Sequence, residues 1–548
     1  MFGSLYNEFA ILLLFAIVFG FIAIQLYQPL ILAFIAVGVV LGPSALGWIT
    51  ATSEIDLLSK VGVTLLLFII GLKLDFNAIR SLGIISLATG LGQVIFTSFI
   101  GYWIGILLGF NPVTAIYVAI ALTFSSTIII VKLLSDKDEM DSLYGRIAIG
   151  YLIVQDIIVI IAIIILSSLG VGEKMHAQLG IEIFSLAVKG IGILTLVAIL
   201  ARFVLPSILN KIAKSRELLI LFAIAWAVAL AGSADLLGLS KEVGGFLAGV
   251  SLASTHYRDT LTSRLDTLRN FLLLFFFVNL GVKLQFNALS SQIFPAIVLS
   301  LFVLIVKPLI MMIIMGRMGY RKRTGFLTGL TAAQISEFSL ILAALGETLG
   351  HIQSSTVGLI TLVGIITFAL STYMIMYSHV LYEWFSPWLS IFEKKILSQA
   401  DADNLKPEPD CDVIIFGIGR YGQTIAKLLR HAGLSILGVD FDPQKIRHWK
   451  KNNLEVRYGD AEDAEFTKSL PLQKAKWILS TIPRHETNQI LISSVKENSF
   501  KGKIAVSVFD PMEIAETRKI DVDLILLPYK DAASKAAQRL AKSILVGS

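Results

Sequence analysis

A succession of long apolar stretches occupies the first 390 residues and decides what this chain can fold into. We count about thirteen, each near the roughly 20 residues that a helix needs to cross a bilayer. They begin near Leu5, Pro29, Asp56, Gly83, Val113, Arg146, Gly180, Glu217, Leu239, Phe271, Ser291, Gly325 and Thr356. Apolar residues form 55% of the 548 residues and charged residues 16%, with a mean hydropathy of +0.77. These values exclude a soluble globular protein and predict a polytopic α-helical membrane protein.

Basic residues gather in alternate loops, and this fixes the predicted orientation. One set of loops carries most of them: Lys73, Arg80, Lys132, Lys137, Arg146, Lys211, Lys214, Arg216, Arg258, Arg264, Arg269, Arg317, Arg321, Lys322 and Arg323. Cytoplasmic loops are the ones enriched in Lys and Arg. We therefore expect a multi-pass protein of the cell membrane, such as the bacterial inner membrane, with its N-terminus outside and its C-terminal region in the cytoplasm.

An eight-residue motif occurs twice in the apolar region. Gly71–Ala78 and Gly281–Ala288 are identical at six of eight positions. The first copy ends the third stretch and the second copy ends the tenth, so an odd number of crossings separates them and their orientations are opposite. This spacing predicts a 6+1+6 arrangement of inverted repeats, which is frequent in secondary transporters.

Two residues of opposite charge lie deep within apolar stretches. Asp156 is the only charged residue in Tyr151–Ile160, and at 1.5 Å per helical residue it lies roughly 15 Å from Arg146. Lys307 is similarly isolated in a later stretch. An ionisable group at such depth costs several kcal/mol unless it is paired, hydrated or neutralised. The pair predicts a path for protons and a cation, with a purely structural Asp156–Lys307 ion pair as the alternative.

Hydroxyl side chains interrupt the fifth stretch at four of the five positions in Thr123–Thr127. Their hydroxyls can bond back to their own helix, which is the structural interpretation. Alternatively, the helix unwinds here, and the carbonyls and hydroxyls of Ser125, Ser126 and Thr127 replace the hydration shell of a cation.

The twelfth stretch is the repeat counterpart of the fifth, and it contains Gln334 and Glu337. These side chains are three residues apart and so share a helix face. Glu337 is expected either to cap a broken helix or to bind an ion. Gln155, beside Asp156, offers either a carbonyl ligand or an interhelical hydrogen bond.

The composition becomes polar and β-rich near residue 390. We expect a transmembrane exchanger domain over 1–390, a linker over 391–410, a Rossmann-like α/β domain over 411–530 and a C-terminal helix or tail over 531–548. Six short strands are predicted: Val413–Phe416, Ser435–Val439, Glu455–Tyr458, Trp477–Thr481, Ile504–Val508 and Leu524–Leu527.

A glycine motif of the form G-x-G-x-x-G follows the first of these strands. Gly417 permits a tight turn, Gly419 lets the backbone approach a pyrophosphate, and Gly422 allows close helix packing. Asp440 ends the second strand, where an acid can bind ribose hydroxyls. No basic residue is adjacent to hold a 2′-phosphate, so AMP, ATP, NAD or NADH is favoured over NADP(H). An unoccupied Rossmann-like fold is the alternative.

The membrane motifs resemble those of the monovalent cation:proton antiporter-2 family. The matching residues are Gly71–Asp75, Ser125–Thr127, Gln155–Asp156, Lys307 and Gln334–Phe338. The resemblance implies a homodimer of about thirteen helices per chain, with a dimerisation domain and a mobile core. It also implies that Asp156 carries the ion or proton. The Gln-Asp pair is similar to Kef-type members rather than to the Asp-Asp pair of electrogenic sodium/proton relatives, which favours electroneutral exchange of potassium.

The soluble region resembles the RCK (TrkA-N) domain of Kef-type glutathione-regulated potassium efflux systems. The resemblance implies that AMP or NAD(H) binds there and gates transport. The implied nucleotide site comprises Gly417, Gly419, Arg420, Tyr421, Gly422, Asp440, Phe441, Asp460 and Thr481. The implied partners are a second copy of the chain, membrane lipids and a soluble regulatory subunit, whereas neither nucleic acid nor a transition metal is expected. Ala505–Asp510 lacks the arginines that hold glutathione adducts in the family, so glutathione gating is not expected.

We expect a potassium/proton antiporter in which a proton and a partly dehydrated cation compete for Asp156. Lys307 would pair with Asp156 when the cation is absent, and a rocking or elevator motion would move the site between the two faces. The alternatives are a sodium/proton antiporter and a ligand-gated, channel-like potassium efflux system. A membrane-anchored NAD-dependent oxidoreductase is a remote alternative, since the Rossmann region leaves little chain for a substrate domain.

Overall fold

The computed structural model divides the chain into two compact units, Met1–Glu393 and Lys394–Ser548. The described residues are 5–49, 52–73, 84–137, 139–140, 142–168, 195, 197, 199–213, 215–237, 240–284, 292–389, 391, 411–441, 446, 449–450, 454–459, 461, 464–483, 485–509, 514–518 and 522–546. Most of the predicted linker therefore lies outside the described residues, and the predicted domain boundaries stay a prediction.

The membrane unit is helical throughout its described secondary structure. Its helices are α1 (Leu5–Gln25), α2 (Leu30–Leu41), α3 (Thr52–Lys73), α4 (Ile84–Leu107), α5 (Pro112–Thr123), α6 (Thr127–Asp136), α7 (Leu143–Ser168), α8 (Leu205–Ile212), α9 (Arg216–Leu236), α10 (Lys241–Leu252), α11 (Arg258–Val282), α12 (Ile293–Leu301), α13 (Lys307–Arg317), α14 (Lys322–Thr331), α15 (Glu337–Thr348), α16 (Ser354–Met376) and α17 (Ser378–Leu389). Nine segments of the described chain are long and apolar enough to cross a membrane, and α2 is a shorter apolar helix. The stretch predicted near Gly180 begins outside the described residues.

The helices pack as two bundles. We call α1, α2, α3, α9, α10 and α11 the scaffold bundle, because these helices contact one another extensively. We call α4–α7 and α12–α16 the core bundle for the same reason. Fewer contacts join the bundles, chiefly between α7 and α10 and between α2 and α16. The site residues in α6, α7, α13 and α15 therefore all belong to the core bundle.

The first glycine of each repeated motif makes a close helix crossing in the scaffold bundle. A Cβ on Gly281 of α11 would overlap the Ile35 carbonyl of α2 and lie 2.9 Å from the Gly38 Cα. A Cβ on Gly71 of α3 would likewise overlap the Phe246 carbonyl of α10. Small residues let membrane helices approach this closely. In the predicted repeat, α2 and α10 are counterparts, because they lie in the second and ninth apolar stretches. Likewise α3 and α11 are counterparts, in the third and tenth. The α2–α11 and α3–α10 crossings are therefore equivalent, as an inverted repeat predicts.

Replacing Gly281 by alanine should destabilise the protein by about 1–3 kcal/mol, because the added methyl group meets backbone that must move. The matched control is Gly232→Ala, since a Cβ at Gly232 has no atom within 4 Å. Thermal unfolding in detergent, followed by size-exclusion chromatography, measures the difference. Equal stability of the two variants would show that the α2–α11 crossing tolerates separation.

A polar cluster joins the loop before α7 to the start of α17. Glu139 accepts a hydrogen bond from Tyr144, lies 2.9 Å from Lys137 Nζ and lies 2.6 Å from His379 Nε2. Lys137 also donates to Ser378 Oγ at 2.9 Å. Burial alone would raise the pKa of Glu139, but the hydrogen bonds from His379, Lys137 and Tyr144, with the Lys137 charge, outweigh it and lower the pKa to about 2. The cluster therefore ties the core bundle to the helix that precedes the linker.

The second unit is built on a six-stranded parallel sheet in the order β3-β2-β1-β4-β5-β6. The elements are β1 (Val413–Phe416), α18 (Arg420–His431), β2 (Ile436–Asp440), β3 (Val456–Tyr458), α19 (Ala464–Lys468), β4 (Trp477–Ser480), α20 (His485–Glu497), β5 (Lys503–Ser507), α21 (Ile514–Thr517), β6 (Leu524–Leu526) and α22 (Pro528–Val546). Ile414 and Phe416 pack on one face of the sheet, and Val413 and Ile415 pack on the other. Burial on both faces explains the continuous apolar strands. The predicted fold class is confirmed in both units.

Candidate functional site

Two broken helices meet within the core bundle. α5 ends at Thr123 and α6 begins at Thr127, while α14 ends at Thr331 and α15 begins at Glu337. The breaks contact each other directly, because Ser125 Oγ donates to the Ala332 carbonyl at 3.3 Å. The predicted unwinding over Thr123–Thr127 is therefore present, and it has a matching break in the twelfth stretch.

Ser126 and Gln334 complete the crossing. Ser126 is the N-cap of α6, and its Oγ accepts from the Ile129 backbone N–H at 3.3 Å. Gln334 Nε2 donates to the Ser126 carbonyl at 3.4 Å, and Gln334 Oε1 accepts from Ser371 Oγ at 2.8 Å. The amide group of Gln334 therefore joins the two breaks, and its carbonyl oxygen links the crossing to α16.

Lys307 lies between the two breaks and is fully buried. Its Nζ donates to the Phe124 carbonyl at 3.0 Å and to the Gln334 carbonyl at 2.8 Å. These carbonyls lie just beyond the C-terminal ends of α5 and α14, where helix carbonyls lack intrahelical partners and carry partial negative charge. The predicted Asp156–Lys307 ion pair is absent from this structure, because the ammonium group binds these carbonyls instead.

Asp156 lies in α7 beside the N-terminal end of α6. Its Oδ2 accepts a hydrogen bond from Thr127 Oγ1 at 3.0 Å. Unlike Lys307 and Glu337, Asp156 is only partly buried. The structure therefore brings together the predicted pair of Asp156 and Thr127, with part of the aspartate side chain still accessible.

Both ends of the Gln155 side chain bind other protein groups. Its Oε1 accepts from the Ser125 backbone N–H at 3.0 Å, and its Nε2 donates to Gln93 Oε1. Of the two predicted roles, this geometry matches the interhelical hydrogen bond. Gln155 satisfies an N–H that the broken helix would otherwise leave without a partner.

Glu337 is the first residue of α15 and is buried at the positive end of that helix. Ser336 Oγ donates a hydrogen bond to Glu337 Oε2 at 3.5 Å. Glu337 also lies within electrostatic range of Asp156 and of Arg269 on α11. The position serves the predicted capping role. It also places a second carboxylate beside Asp156, so both predicted roles remain compatible with the geometry.

Sequence reasoning missed Gln93 and Arg269 as neighbours of this site. Gln93 is fully buried in α4 and bonded to Gln155. The available signal for Gln93 was that it is a glutamine within the mainly apolar segment Ile84–Leu107. Arg269 was assigned to a cytoplasmic loop, but α11 extends from Arg258 and places Arg269 within a helix. Because α11 begins without a side-chain cap, the sequence carries no local signal that the helix starts at Arg258 and includes Arg269.

The glycine motif of the second unit forms a tight turn at the carboxyl end of β1. Gly417 has a φ of +84°, which favours glycine, and a Cβ on Gly422 would overlap the Gly417 carbonyl. Thr481 Oγ1 donates to the same carbonyl. Asp440 Oδ2 accepts from the Ile418 N–H at 2.8 Å and so braces the turn. The turn lies where the strand order reverses between β1 and β4, which is where open α/β sheets bind ligands.

The other predicted residues of this site surround the same turn. Gly419 is the N-cap of α18, and a Cβ there would meet no atom within 4 Å, which leaves space over the helix N-terminus. Arg420 is exposed at the first position of α18, and Phe441 directly follows β2. The Tyr421 ring contacts the Phe509 ring edge to face at 6.2 Å. The turn therefore has the shape of a phosphate-binding loop, and the contacting rings of Tyr421 and Phe509 lie next to it.

Comparison with known families decides the identity of the membrane unit. The profile of the transmembrane sodium/hydrogen exchanger matches residues 10–376. The chain belongs to the sodium/hydrogen exchanger family. The TrkA-N domain profile matches residues 413–528 of this exchanger. The exchanger is thus a multi-pass membrane cation/proton antiporter with a cytoplasmic TrkA-N domain, and it is a transporter rather than an oxidoreductase.

Relatives of this exchanger cover most of its length. YbaL of Escherichia coli, a candidate cation/proton antiporter, is 24% identical over 534 residues, which are 95% of this chain and 94% of that protein. The glutathione-regulated potassium-efflux system protein KefC of Escherichia coli is 28% identical over 480 residues, or 87% of this chain and 75% of that protein. The sodium proton antiporter MjNhaP1 of Methanocaldococcus jannaschii covers 69% of this chain and 98% of its own, at 15% identity and a TM-score of 0.51. MjNhaP1 shares the fold.

Proposed function

We propose that this exchanger moves potassium against protons at Asp156, under the control of a nucleotide bound to its TrkA-N domain. The observation that carries the proposal is the difference in accessibility at the crossing. Asp156 remains partly exposed beside the Thr127 hydroxyl, whereas Lys307 and Glu337 are buried. Asp156 is therefore the carboxylate that a cation or a proton can reach.

The mechanism is competition for one carboxylate. A partly dehydrated cation binds Asp156 with help from Thr127 and the Ser125–Ser126 segment, and protonation of Asp156 releases it. Gln155 is neutral, so one proton replaces one monovalent cation and the exchange is electroneutral. Movement of the core bundle against the scaffold bundle would carry the site between the two faces, which the sparse contacts between the bundles support.

Proteoliposomes loaded with a pH-sensitive dye test this function. Potassium added outside should drive proton movement that persists when the membrane potential is clamped to zero, and sodium should be less effective. Equal or better sodium response would favour the sodium/proton alternative. Potassium flux without proton movement would favour the channel-like alternative and contradict the proposal.

The TrkA-N domain supplies the proposed regulatory site. The turn at Gly417, the open N-terminus of α18 beside Gly419 and the acid at Asp440 suit an adenosine nucleotide such as AMP or NAD(H). Asp460 lies outside the described residues and stays a prediction. The homodimer and the soluble regulatory subunit also stay predictions.

Asp440→Asn should weaken AMP or NAD(H) binding to the full-length protein by about tenfold, because a charged acceptor for ribose hydroxyls is lost. The variant should retain basal exchange but lose its nucleotide response. Asp412→Asn is the control, since Asp412 lies before β1 and binds Lys476 at 2.8 Å. Calorimetry with AMP, NADH and NADPH measures the affinities. Tighter NADPH than NADH binding to the wild type would contradict the assignment.

A further inference from the structure

A chain of three hydrogen bonds runs from α4 through α7 to the break between α5 and α6. Gln93 of α4 accepts from Gln155 of α7, and Gln155 Oε1 accepts from the Ser125 N–H at 3.0 Å. Gln93 Nε2 in turn donates to the Thr123 carbonyl at 3.1 Å. Gln93 therefore binds the unwound segment in two ways. It contacts the Thr123 carbonyl directly, and it contacts Ser125 through Gln155.

Donor and acceptor counting fixes the direction of this chain. Both N–H groups of the Gln93 amide are used, one by Thr97 Oγ1 at 2.9 Å and one by the Thr123 carbonyl. Only the Gln93 carbonyl is left to face Gln155, so Gln155 must present its amide there and its carbonyl to Ser125. Reversing either carboxamide would set donor against donor inside a buried cluster.

Close packing of α4 on α7 makes the contact between the two glutamines geometrically possible. A Cβ on Gly90, one turn before Gln93, would lie 2.7 Å from the Val154 side chain and 3.3 Å from the Tyr151 carbonyl. Val154 directly precedes Gln155. Gly90 thus lets the two helices approach at the level of the site.

We propose that Gln93 is a positioning residue for the cation site, which sets potassium affinity and selectivity by fixing Gln155 and, through it, the Ser125 segment. This inference rests on the proposed function at Asp156. Gln93 does not contact Asp156 and takes no part in proton exchange. Without Gln93, the buried Gln155 amide lacks its acceptor and the Ser125 N–H loses its fixed partner. The unwound segment that leads to Thr127 and Asp156 then loses its fixed position.

The test compares Gln93→Leu with Thr97→Val in proteoliposomes. Gln93→Leu should raise the apparent KM for potassium about tenfold, which is about 1.4 kcal/mol, and reduce the preference for potassium over sodium. The maximal rate and the pH profile at saturating potassium should remain near those of the wild type. Thr97→Val removes a neighbouring hydroxyl but keeps the Gln93–Gln155 bond, so its KM should change less than about twofold.

Gln93→Asn extends the test if Gln93→Leu fails to fold, because it keeps the carboxamide but shortens its reach. It should give an intermediate rise in KM. An unchanged KM and selectivity in the folded Gln93 variants, or an equal rise in Thr97→Val, would overturn the inference. Absence of potassium-driven proton movement in the wild type would instead overturn the proposed function, so the two failures are distinguishable.

Discussion

Asp156→Asn is expected to reduce potassium/proton exchange to the rate of vesicles without protein. The substitution keeps the side-chain volume and an acceptor for Thr127 Oγ1, but it removes the charge that attracts the cation and the group that takes the proton. The measurement is potassium-driven proton movement at matched protein density. Folding should be retained, because Asp156 makes a single hydrogen bond to Thr127 within the described residues.

Asp56→Asn is the matched control for the loss of a carboxylate. Asp56 lies on α3 of the scaffold bundle, where it binds Lys60 at 2.6 Å and Asn279 at 3.1 Å. Its loss should leave exchange close to the wild-type rate. Coupled exchange by Asp156→Asn at a rate similar to the control would remove Asp156 from the mechanism.

Lys307→Met is expected to lower the melting temperature by about 5–10 °C, because two buried carbonyls lose their donor. The Phe124 and Gln334 carbonyls would face each other at the crossing without the ammonium charge that compensates them. Exchange should fall together with stability. Lys60→Met is the control: this lysine is half exposed, and surface ion pairs contribute little.

The outcome separates two roles for Lys307. If it competes with the cation for Asp156, as its charge suggested in the sequence, Lys307→Met should keep its stability and shift the pH profile of exchange. If it compensates the broken helices, stability should fall. A variant of unchanged stability with a displaced pH profile would contradict the structural role.

The sequence predicted the parts of the site that have a local signature. The hydroxyl run over Thr123–Thr127 marked a broken helix, and isolated charges marked Asp156 and Lys307. The strands of the soluble domain lie within one residue of their predicted positions at both ends, since buried parallel strands and glycine turns are visible as short apolar runs.

The contacts between these parts had no such signature. Lys307 binds backbone carbonyls, and the sequence does not show which carbonyls a helix break exposes. The orientation of Gln155 depends on Gln93, which lies 62 residues away in the chain. Tertiary packing, not local pattern, therefore decided which of the predicted residues bind other protein groups and which one, Asp156, stays partly accessible.

The pH dependence of the apparent potassium KM tests most directly whether a proton and potassium share Asp156. Exchange is measured in proteoliposomes over a series of potassium concentrations at each pH, with the membrane potential clamped. Competition for one carboxylate predicts that, below the pH at which the site titrates, KM rises about tenfold per pH unit while the maximal rate at saturating potassium is unchanged. A KM that is independent of pH, with a maximal rate that falls on acidification, would place the proton and the cation on separate groups and contradict the account.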